Sequence, residues 1–585
     1  MCGIVGVLGK LPSQKTIEQA RDKMQHRGPD DCGIYYAPEE KVALGHRRLS
    51  IIDLSADGRQ PFFSDDDRYV IIFNGEIYNY LEIKQELNKF YNFKTKTDTE
   101  VLLAAYIQWG EKCLDKFNGM FAIAIWDRKD KKLFCARDRL GIKPFFYSMQ
   151  NNNLLFASEI KALVELGIKQ EVNEDIIFDY LYHGFYEHDE AMFYKDVQVL
   201  PAGHFFIWQN NKIETKKYWD LADKEQDYSH LSIEQVKEKF QALLIDSIKL
   251  RFRSDVPVGI YLSSGLDSNA LLYFAEQNVK KDINTISMCL PNKEYNECLY
   301  IDEYLSASQK KNWHTCSLSL ENTLPLVEGM NMIQDQPFGG IPTVMFGELN
   351  KATKNKKIPV MLHGQGVDEI LAGYKYYYPE YLRDQGQVNV DSAMDLSQDK
   401  TKLIDKTILD KDFVKQHESR ELKFKKPFKS HLLNAQYRDI MYTKIPRTLR
   451  FADHASMAQS IELRVPYLDH RIVEFCFWLP AKYKINKDIQ KVLIRELVSD
   501  CLPDTIGQRQ KKSYGQSQVQ LFREHYKEYV LALLDAELFK SLKYWDHDQL
   551  RKKVKAFFNG EGDNSFFLWQ CINLDLWFKK FINKF

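Results

Sequence analysis

Val256-Pro257-Val258-Gly259-Ile260-Tyr261-Leu262-Ser263-Ser264-Gly265-Leu266-Asp267-Ser268 decides the reading of the larger part of this chain. Val256 to Leu262 is a short apolar run, the pattern of a strand buried on both faces. Small hydroxyl residues and a glycine follow, and a helix is predicted through Ser268 to Glu276. Such a loop lets backbone N–H groups approach a phosphate, and the helix N-terminus behind it adds positive potential. The unit recurs. Ile283 to Leu290 precedes a helix near Cys298 to Gln309, and Ile358 to Leu362 runs into His363-Gly364-Gln365-Gly366-Val367-Asp368-Glu369. Strands alternating with helices predict a parallel sheet covered on both faces, an α/β domain. Two Gly-rich loops at the carboxyl ends of its strands stand where open α/β sheets bind ligands. No G-x-x-x-x-G-K-[ST] occurs, so neither loop is a Walker loop.

Outward from this unit, Ser232 and Gln235 form a capping-box signature. Apolar residues at Ile233, Val236, Phe240, Leu243, Leu244 and Ile248 then lie on one helical face. The polar segment Leu221 to Leu231 has no periodicity, which sets a linker at 211–231 between regions 1–210 and 232–585. Region 1–210 reads as short strands: Gly3 to Leu8, Val42 to Leu44, Tyr69 to Phe73, Phe121 to Trp126, Leu133 to Ala136, Phe145 to Ser148 and Leu154 to Ala157. Met120 to Asp127 and Lys132 to Arg137 flank a polar tetrapeptide, a hairpin signal. One helix is predicted from Asp98 to about Trp109. This is an α+β pattern built on antiparallel sheets. Beyond about Lys402 the pattern is mostly helical.

Composition excludes several classes. The 585 residues carry 81 Lys+Arg against 81 Asp+Glu, without the basic excess of a dedicated nucleic-acid binder. With 44% hydrophobic and 13% aromatic residues, disorder as the main state is excluded. No apolar run approaches the length of a membrane span, and the N-terminus lacks a signal-peptide pattern, so a cytoplasmic location is expected. Ten cysteines without a C-x-x-C pair argue against a zinc ribbon, and their low density fits a reducing compartment. His183 and His188 miss the i, i+4 spacing that would put two metal ligands on one helical face.

Cys2 follows the initiator Met. If Met1 is removed, one residue carries both a thiol and an α-amino group whose pKa near 8 lets it accept the thiol proton. An isolated cysteine is more often a small buried hydrophobe. Its company changes the reading. His26-Arg27-Gly28-Pro29-Asp30, Gly45-His46-Arg47-Arg48-Leu49-Ser50, Phe73-Asn74-Gly75-Glu76-Ile77-Tyr78-Asn79, Thr97-Asp98-Thr99-Glu100 and Ala136-Arg137-Asp138-Arg139-Leu140-Gly141 resemble the class II glutamine amidotransferases, and the whole chain resembles the glutamine-dependent asparagine synthetases. The resemblance implies an N-terminal nucleophile sandwich in which Cys2 attacks glutamine. Asn74 and Gly75 would stabilise the oxyanion, Arg48 would bind the glutamine carboxylate, and Glu76 and Asp98 its ammonium. Alone, Asn-Gly would read as a type I′ turn and Asp98 as a helix N-cap.

The same resemblance makes Ser263 to Ser268 a pyrophosphate loop of an ATP pyrophosphatase, with Ser264 where the family commonly has glycine. ATP as substrate and Mg²⁺ follow. Tyr261, Ser263, Ser264, Gly265, Asp267, Ser268, Met288, His363 and Gly364 fall at ATP-binding positions, Asp267 and Asp368 at metal positions, and Lys491 at the lysine that neutralises charge in adenylation. Gln365 and Tyr374 fall at acceptor positions. Gln365 replaces a common Glu, and an amide orients a substrate without taking its proton. The implied acceptor is aspartate, with a uronic acid as the alternative, and the implied assembly a homodimer. Arg450, Asp453 and Arg464 lie in family-like segments without assigned roles. Arg509-Gln510-Lys511 is a candidate phosphate contact.

Overall fold

The computed structural model describes residues 2–582 except 281, 291–295, 308–311, 319–322, 388–405, 423, 488, 504–505 and 507–514. The Arg509-Gln510-Lys511 triplet lies outside the described residues.

Alternation of side chains along the central N-terminal strands, such as Gly3–Leu8, Val42–Arg48 and Gly119–Asp127, gives each of them two buried faces. One six-stranded antiparallel sheet runs Gln198–Val199, Phe146–Gln150, Asn153–Ala157, Gly3–Leu8, Val42–Arg48 and Asp31–Ala37. A second runs Lys212–Lys217, His204–Gln209, Lys132–Arg137, Gly119–Asp127, Tyr69–Ile77 and Phe62–Phe63. Ile4, Leu44 and Phe156 of the first sheet meet Ile72, Ala124, Cys135 and Phe206 of the second in a shared core. One residue along, Val5 and Ala43 face the helices Gln14–Asp22 and Ile160–Glu165. On the opposite side, Ile71, Phe73 and Ile123 face Tyr80–Leu87 and Asp98–Trp109. The result is a four-layer sandwich of helix, sheet, sheet and helix.

A five-stranded parallel sheet follows, ordered Trp313–Ser317, Asn284–Cys289, Val258–Tyr261, Val360–Leu362 and Glu462–Arg464. Helix Ile233–Arg251 begins at the Ser232–Gln235 capping box, and its Val236, Phe240, Leu244 and Ile248 pack toward Val258 and Ile260. The chain builds outward from Val258–Tyr261 in one direction, then returns to lay Val360–Leu362 on its other side. That reversal is a switch point, and the two Gly-rich loops leave it together.

Three elements depart from the pattern read in the sequence. Lys212–Lys217 pairs with His204–Gln209, so a strand occupies part of the 211–231 stretch; its mostly exposed, polar side chains hide it. Glu462–Arg464, read within helices, is an edge strand completing the parallel sheet, too short to carry its own periodicity. Trp313–Ser317 alternates with no apolar run and is likewise found only by its pairing. Cys289 and Cys298 form a disulfide, which the sparse cysteine pattern did not suggest.

Candidate functional site

Cys2 enters the first sheet immediately before Gly3–Leu8 and is almost fully buried. Its backbone N–H donates to Asn74 Oδ1 at 3.1 Å, and Arg27 Nε donates to its carbonyl at 3.0 Å. Burial pushes the thiol up, partly opposed by the Leu49 N–H and the Arg48 charge. Asn74 and Gly75 lie inside the strand Tyr69–Ile77, so the turn reading is overturned. A Cβ on Gly75 would come within 2.0 Å of the Met120 carbonyl; pairing with Gly119–Asp127 therefore requires glycine there. Asn74 Nδ2 lies 3.4 Å from Ser158 Oγ, which leaves its second N–H to serve as a donor beside Cys2. Asn74→Ala is expected to lower glutamine hydrolysis about 10²–10³-fold, read as ammonia release, as for loss of one oxyanion donor.

Arg48, at the end of Val42–Arg48, is buried and donates to the Ser55 carbonyl at 2.7 Å and to the Asp53 carbonyl. Those carbonyls hold the guanidinium in one orientation, and its charge also acts on the nearby Asp53 carboxylate. Glu76 and Asp98 are buried on adjoining elements. Burial, then Glu462 and Asp98, push the Glu76 carboxyl up, with Arg464 opposing. Asp98 is pushed up to about 6, by burial first and Glu462 next among the raising causes, although its carboxylate accepts from the Ile77 N–H at 2.9 Å. The N-cap is Thr97, whose hydroxyl accepts from the Glu100 N–H, so Asp98 is not the cap. Two carboxyls that protonate at raised pH predict the sign of a pH effect. An ammonium needs them ionised, so kcat/KM for glutamine should fall as pH drops through about 6. Asp98→Asn should flatten that limb in a pH profile.

The second cluster forms at the switch point. Gly364 lies in van der Waals contact range of Asp267 and Ser268, so the two loops face each other here. Lys491 Nζ reaches Asp267 at 2.7 Å and Asp368 at 2.8 Å, and those carboxylates hold its charge well above the usual lysine range. Lys491 has φ +58°, at the turn between the hairpin Ile485–Asn486 and Ile489–Gln490 and the helix Val492–Val498. A Cβ on Gly373 would come 2.2 Å from Asp368 Oδ1 and 2.3 Å from Lys491 Cε, so glycine leaves the room this pairing occupies.

The Ser263–Ser268 loop is tied by its own side chains. Ser263 Oγ accepts from the Gly265 N–H at 3.1 Å and lies 3.0 Å from Ser268 Oγ, while the Ser264 N–H donates to Glu297. Ser264 keeps a negative φ, so serine in place of glycine carries no left-handed strain here. The Tyr261 side chain turns into the core, its hydroxyl 2.7 Å from Asn350 Oδ1, and Met288 packs against Cys316. His363 sits against Phe346 and Tyr261, and burial pushes its imidazole down to about 4, so it does not titrate near neutrality. Gln365 Oε1 is buried without a hydrogen-bond partner among the described residues. Tyr374 donates to Glu369 at 2.8 Å and stacks on Tyr376.

The segments left without roles tie the two clusters together. Asp453 accepts from Arg27 at 2.8 Å and Lys143 at 3.1 Å, both from the first sandwich. Arg450 pairs with Glu187 at 2.6 Å. Arg464 binds Glu462, lies 3.7 Å from Glu76, and accepts the His363 N–H on its own carbonyl. These arginines and aspartate are contacts across the two halves; only the tertiary arrangement reveals that. His188 is held by Asp179 at 2.8 Å.

Comparison with known proteins finds two families in the chain. Residues 1–219 match the glutamine amidotransferase domain family, and residues 239–579 match the asparagine synthase family. The putative asparagine synthetase [glutamine-hydrolyzing] 2 of Methanocaldococcus jannaschii is 36% identical over 66% of this chain and 78% of its own length. Asparagine synthetase [glutamine-hydrolyzing] 3 of Bacillus subtilis is 29% identical over 96% of this chain and 94% of its own length. Amidase chry2 of Gibberella zeae is 25% identical over 86% of this chain and 84% of its own length. With the cysteine site in one matched region and the paired-carboxylate site in the other, the chain belongs to the asparagine synthase family and is a glutamine-dependent amidotransferase ligase.

Proposed function

We propose that the chain is a glutamine-hydrolysing asparagine synthetase, converting ATP, L-aspartate, L-glutamine and water to L-asparagine, L-glutamate, AMP and diphosphate. The carrying observation is the meeting of Asp267, Asp368 and Lys491 at the switch point of the parallel sheet. With Met1 removed, the Cys2 amine accepts the thiol proton, and its nitrogen is already fixed 3.1 Å from Asn74 Oδ1. The sulfur attacks the side-chain amide of glutamine, ammonia leaves, and water hydrolyses the glutamyl thioester. Asn74 and the Gly75 N–H bear the oxyanion; Arg48, Glu76 and Asp98 hold the amino-acid end. At the second site the acceptor carboxylate attacks the α-phosphorus of ATP and releases diphosphate. Ammonia then attacks the acyl-AMP and displaces AMP.

Asp267 and Asp368 supply hard oxygen donors on facing loops, a set that suits Mg²⁺ shared with phosphate oxygens. Bound there, the ion would draw negative charge from the phosphates. Lys491 supplies fixed positive charge at the same place, and the N-terminus of the helix Leu266–Asn278 behind the serine loop supplies backbone donors for diphosphate.

A second reading keeps both half-reactions but amidates another carboxylate, such as a uronic acid. It rests on Gln365, whose carbonyl oxygen has no partner among the described residues and which cannot act as a base. AMP release measured with aspartate and with a panel of other carboxylates separates the two. Aspartate-dependent AMP supports asparagine synthesis; AMP with a uronic acid and none with aspartate overturns it.

A further inference from the structure

The short helix Val367–Ile370 carries Asp368, and its four carbonyls need partners. The Val367 carbonyl accepts the Leu371 N–H at 2.9 Å, and the Asp368 carbonyl accepts the Gly373 N–H at 2.7 Å. The remaining two, from Glu369 and Ile370, both go to one side chain: Gln436 Nε2 donates to them at 2.8 and 3.0 Å. Gln436 belongs to the helix His431–Arg438, remote in sequence, and is fully buried.

The other end of that amide is equally committed. Gln436 Oε1 accepts from Lys484 Nζ at 3.0 Å, and Lys484 also donates to the Phe477 carbonyl. Lys484 is fully buried and has no ion-pair partner among the described residues. Burial lowers its pKa to about 7. An apolar side chain would fill such a position without this desolvation cost, so a lysine here departs from the local rule in the way functional neighbourhoods do. Lys484 also stands at the base of the hairpin that leads to Lys491, and its carbonyl accepts the Val492 N–H at 3.1 Å.

These bonds close a circuit. From the Asp368 helix it runs through the Gln436 amide to Lys484, through the hairpin base to Lys491, and back by the ammonium to Asp368. We propose that Gln436 and Lys484 are positioning residues for the ATP-dependent half-reaction, holding the Asp368 helix and the Lys491 turn in fixed relation. The role in catalysis rests on the ligase reading above; the mechanical role rests on the bonds alone. Misplacing a reacting arrangement by about 1 Å costs roughly 10²-fold in rate.

Gln436→Glu is the informative substitution. It keeps an acceptor for Lys484 but removes both donors to the Glu369 and Ile370 carbonyls. Lys484→Met breaks the circuit at its other joint. Using ammonia as nitrogen source, Gln436→Glu is expected to lower kcat for AMP release about 10²-fold. KM for ATP and the rate of glutamine hydrolysis should stay within about twofold, as a role confined to positioning requires. Lys484→Met should show the same split in smaller measure. AMP release at wild-type rate in both variants would overturn the proposal, and so would parallel loss of AMP release, glutamine hydrolysis and melting temperature. Amide hydrogen exchange over residues 367–374 in the substrate-free protein supplies an independent reading. Faster exchange at Leu371 and Gly373 in Gln436→Glu supports the positioning role, and unchanged exchange overturns it. If the wild-type chain released no AMP with any carboxylate, the ligase reading would fall while the exchange result still decided the positioning.

Discussion

Cys2→Ala is expected to lower glutamine-dependent amide formation by about four orders of magnitude or more, and to leave ammonia-dependent formation near the wild-type rate. The size follows from deleting the nucleophile itself, which no neighbouring group replaces. Cys32 stands on a strand beyond Val42–Arg48 in the sheet order, and among the described cysteines none shares the Asn74 contact. The selectivity follows from the separation of the two sites. Cys2 belongs to the antiparallel sandwich, whereas Asp267, Asp368 and Lys491 are set by the parallel sheet and the hairpin beside it. The alanine side chain removes one sulfur atom, and the Cys2 N–H and carbonyl bonds to Asn74 and Arg27 are backbone on this residue, so they remain. Steady-state amide formation with each nitrogen source measures the effect. Equal loss with both sources would contradict two separate sites.

Asp368→Asn should have the converse signature. AMP release is expected to fall about 10²–10³-fold with either nitrogen source, as when one fixed electrostatic contact is lost. Glutamine hydrolysis should persist. Asparagine has nearly the shape of aspartate, so the tight fit against Gly373 is retained. What changes is charge: Lys491 keeps Asp267 and loses Asp368, and the two facing loops lose one of the two hard anionic donors suited to Mg²⁺. Raising the Mg²⁺ concentration should recover part of the rate if weakened ion binding dominates. AMP release unaffected by the substitution would remove Asp368 from the reaction.

Contacts across the two halves join the elements that carry these separate sites. Arg464 reaches toward Glu76 with its side chain and receives the His363 N–H on its backbone, so a single residue touches both the strand Tyr69–Ile77 and the second Gly-rich loop. Asp453 similarly draws Arg27, itself bonded to the Cys2 carbonyl, into the helix Lys444–Met457. Buried charges of this kind are costly to break from one side, about 3–5 kcal/mol when a partner is removed.

The amino-acid sequence by itself determined the elements whose signals are local. The helix Asp98–Trp109 was legible from end to end, as was the capping box that starts Ile233–Arg251, because periodicity and caps involve residues three or four apart. The loop after Val258–Tyr261 was equally plain, since its signal lies in adjacent residues, whereas Cys2 took its reading from motifs as far along as Ala136 to Gly141. Tertiary structure decided the rest. Asn74-Gly75 is strand because Gly119–Asp127 pairs beside it; Asp98 faces Ile77 because that strand ends there; Glu462–Arg464 is strand because Val360–Leu362 offers an edge. Asp267, Asp368 and Lys491 meet across more than a hundred residues of chain, and Gln436 and Lys484, isolated polar residues with no periodic signal, acquire meaning only from the carbonyls they reach. Local sequence fixes which face of an element is apolar; which partner that face meets depends on packing summed over the whole chain.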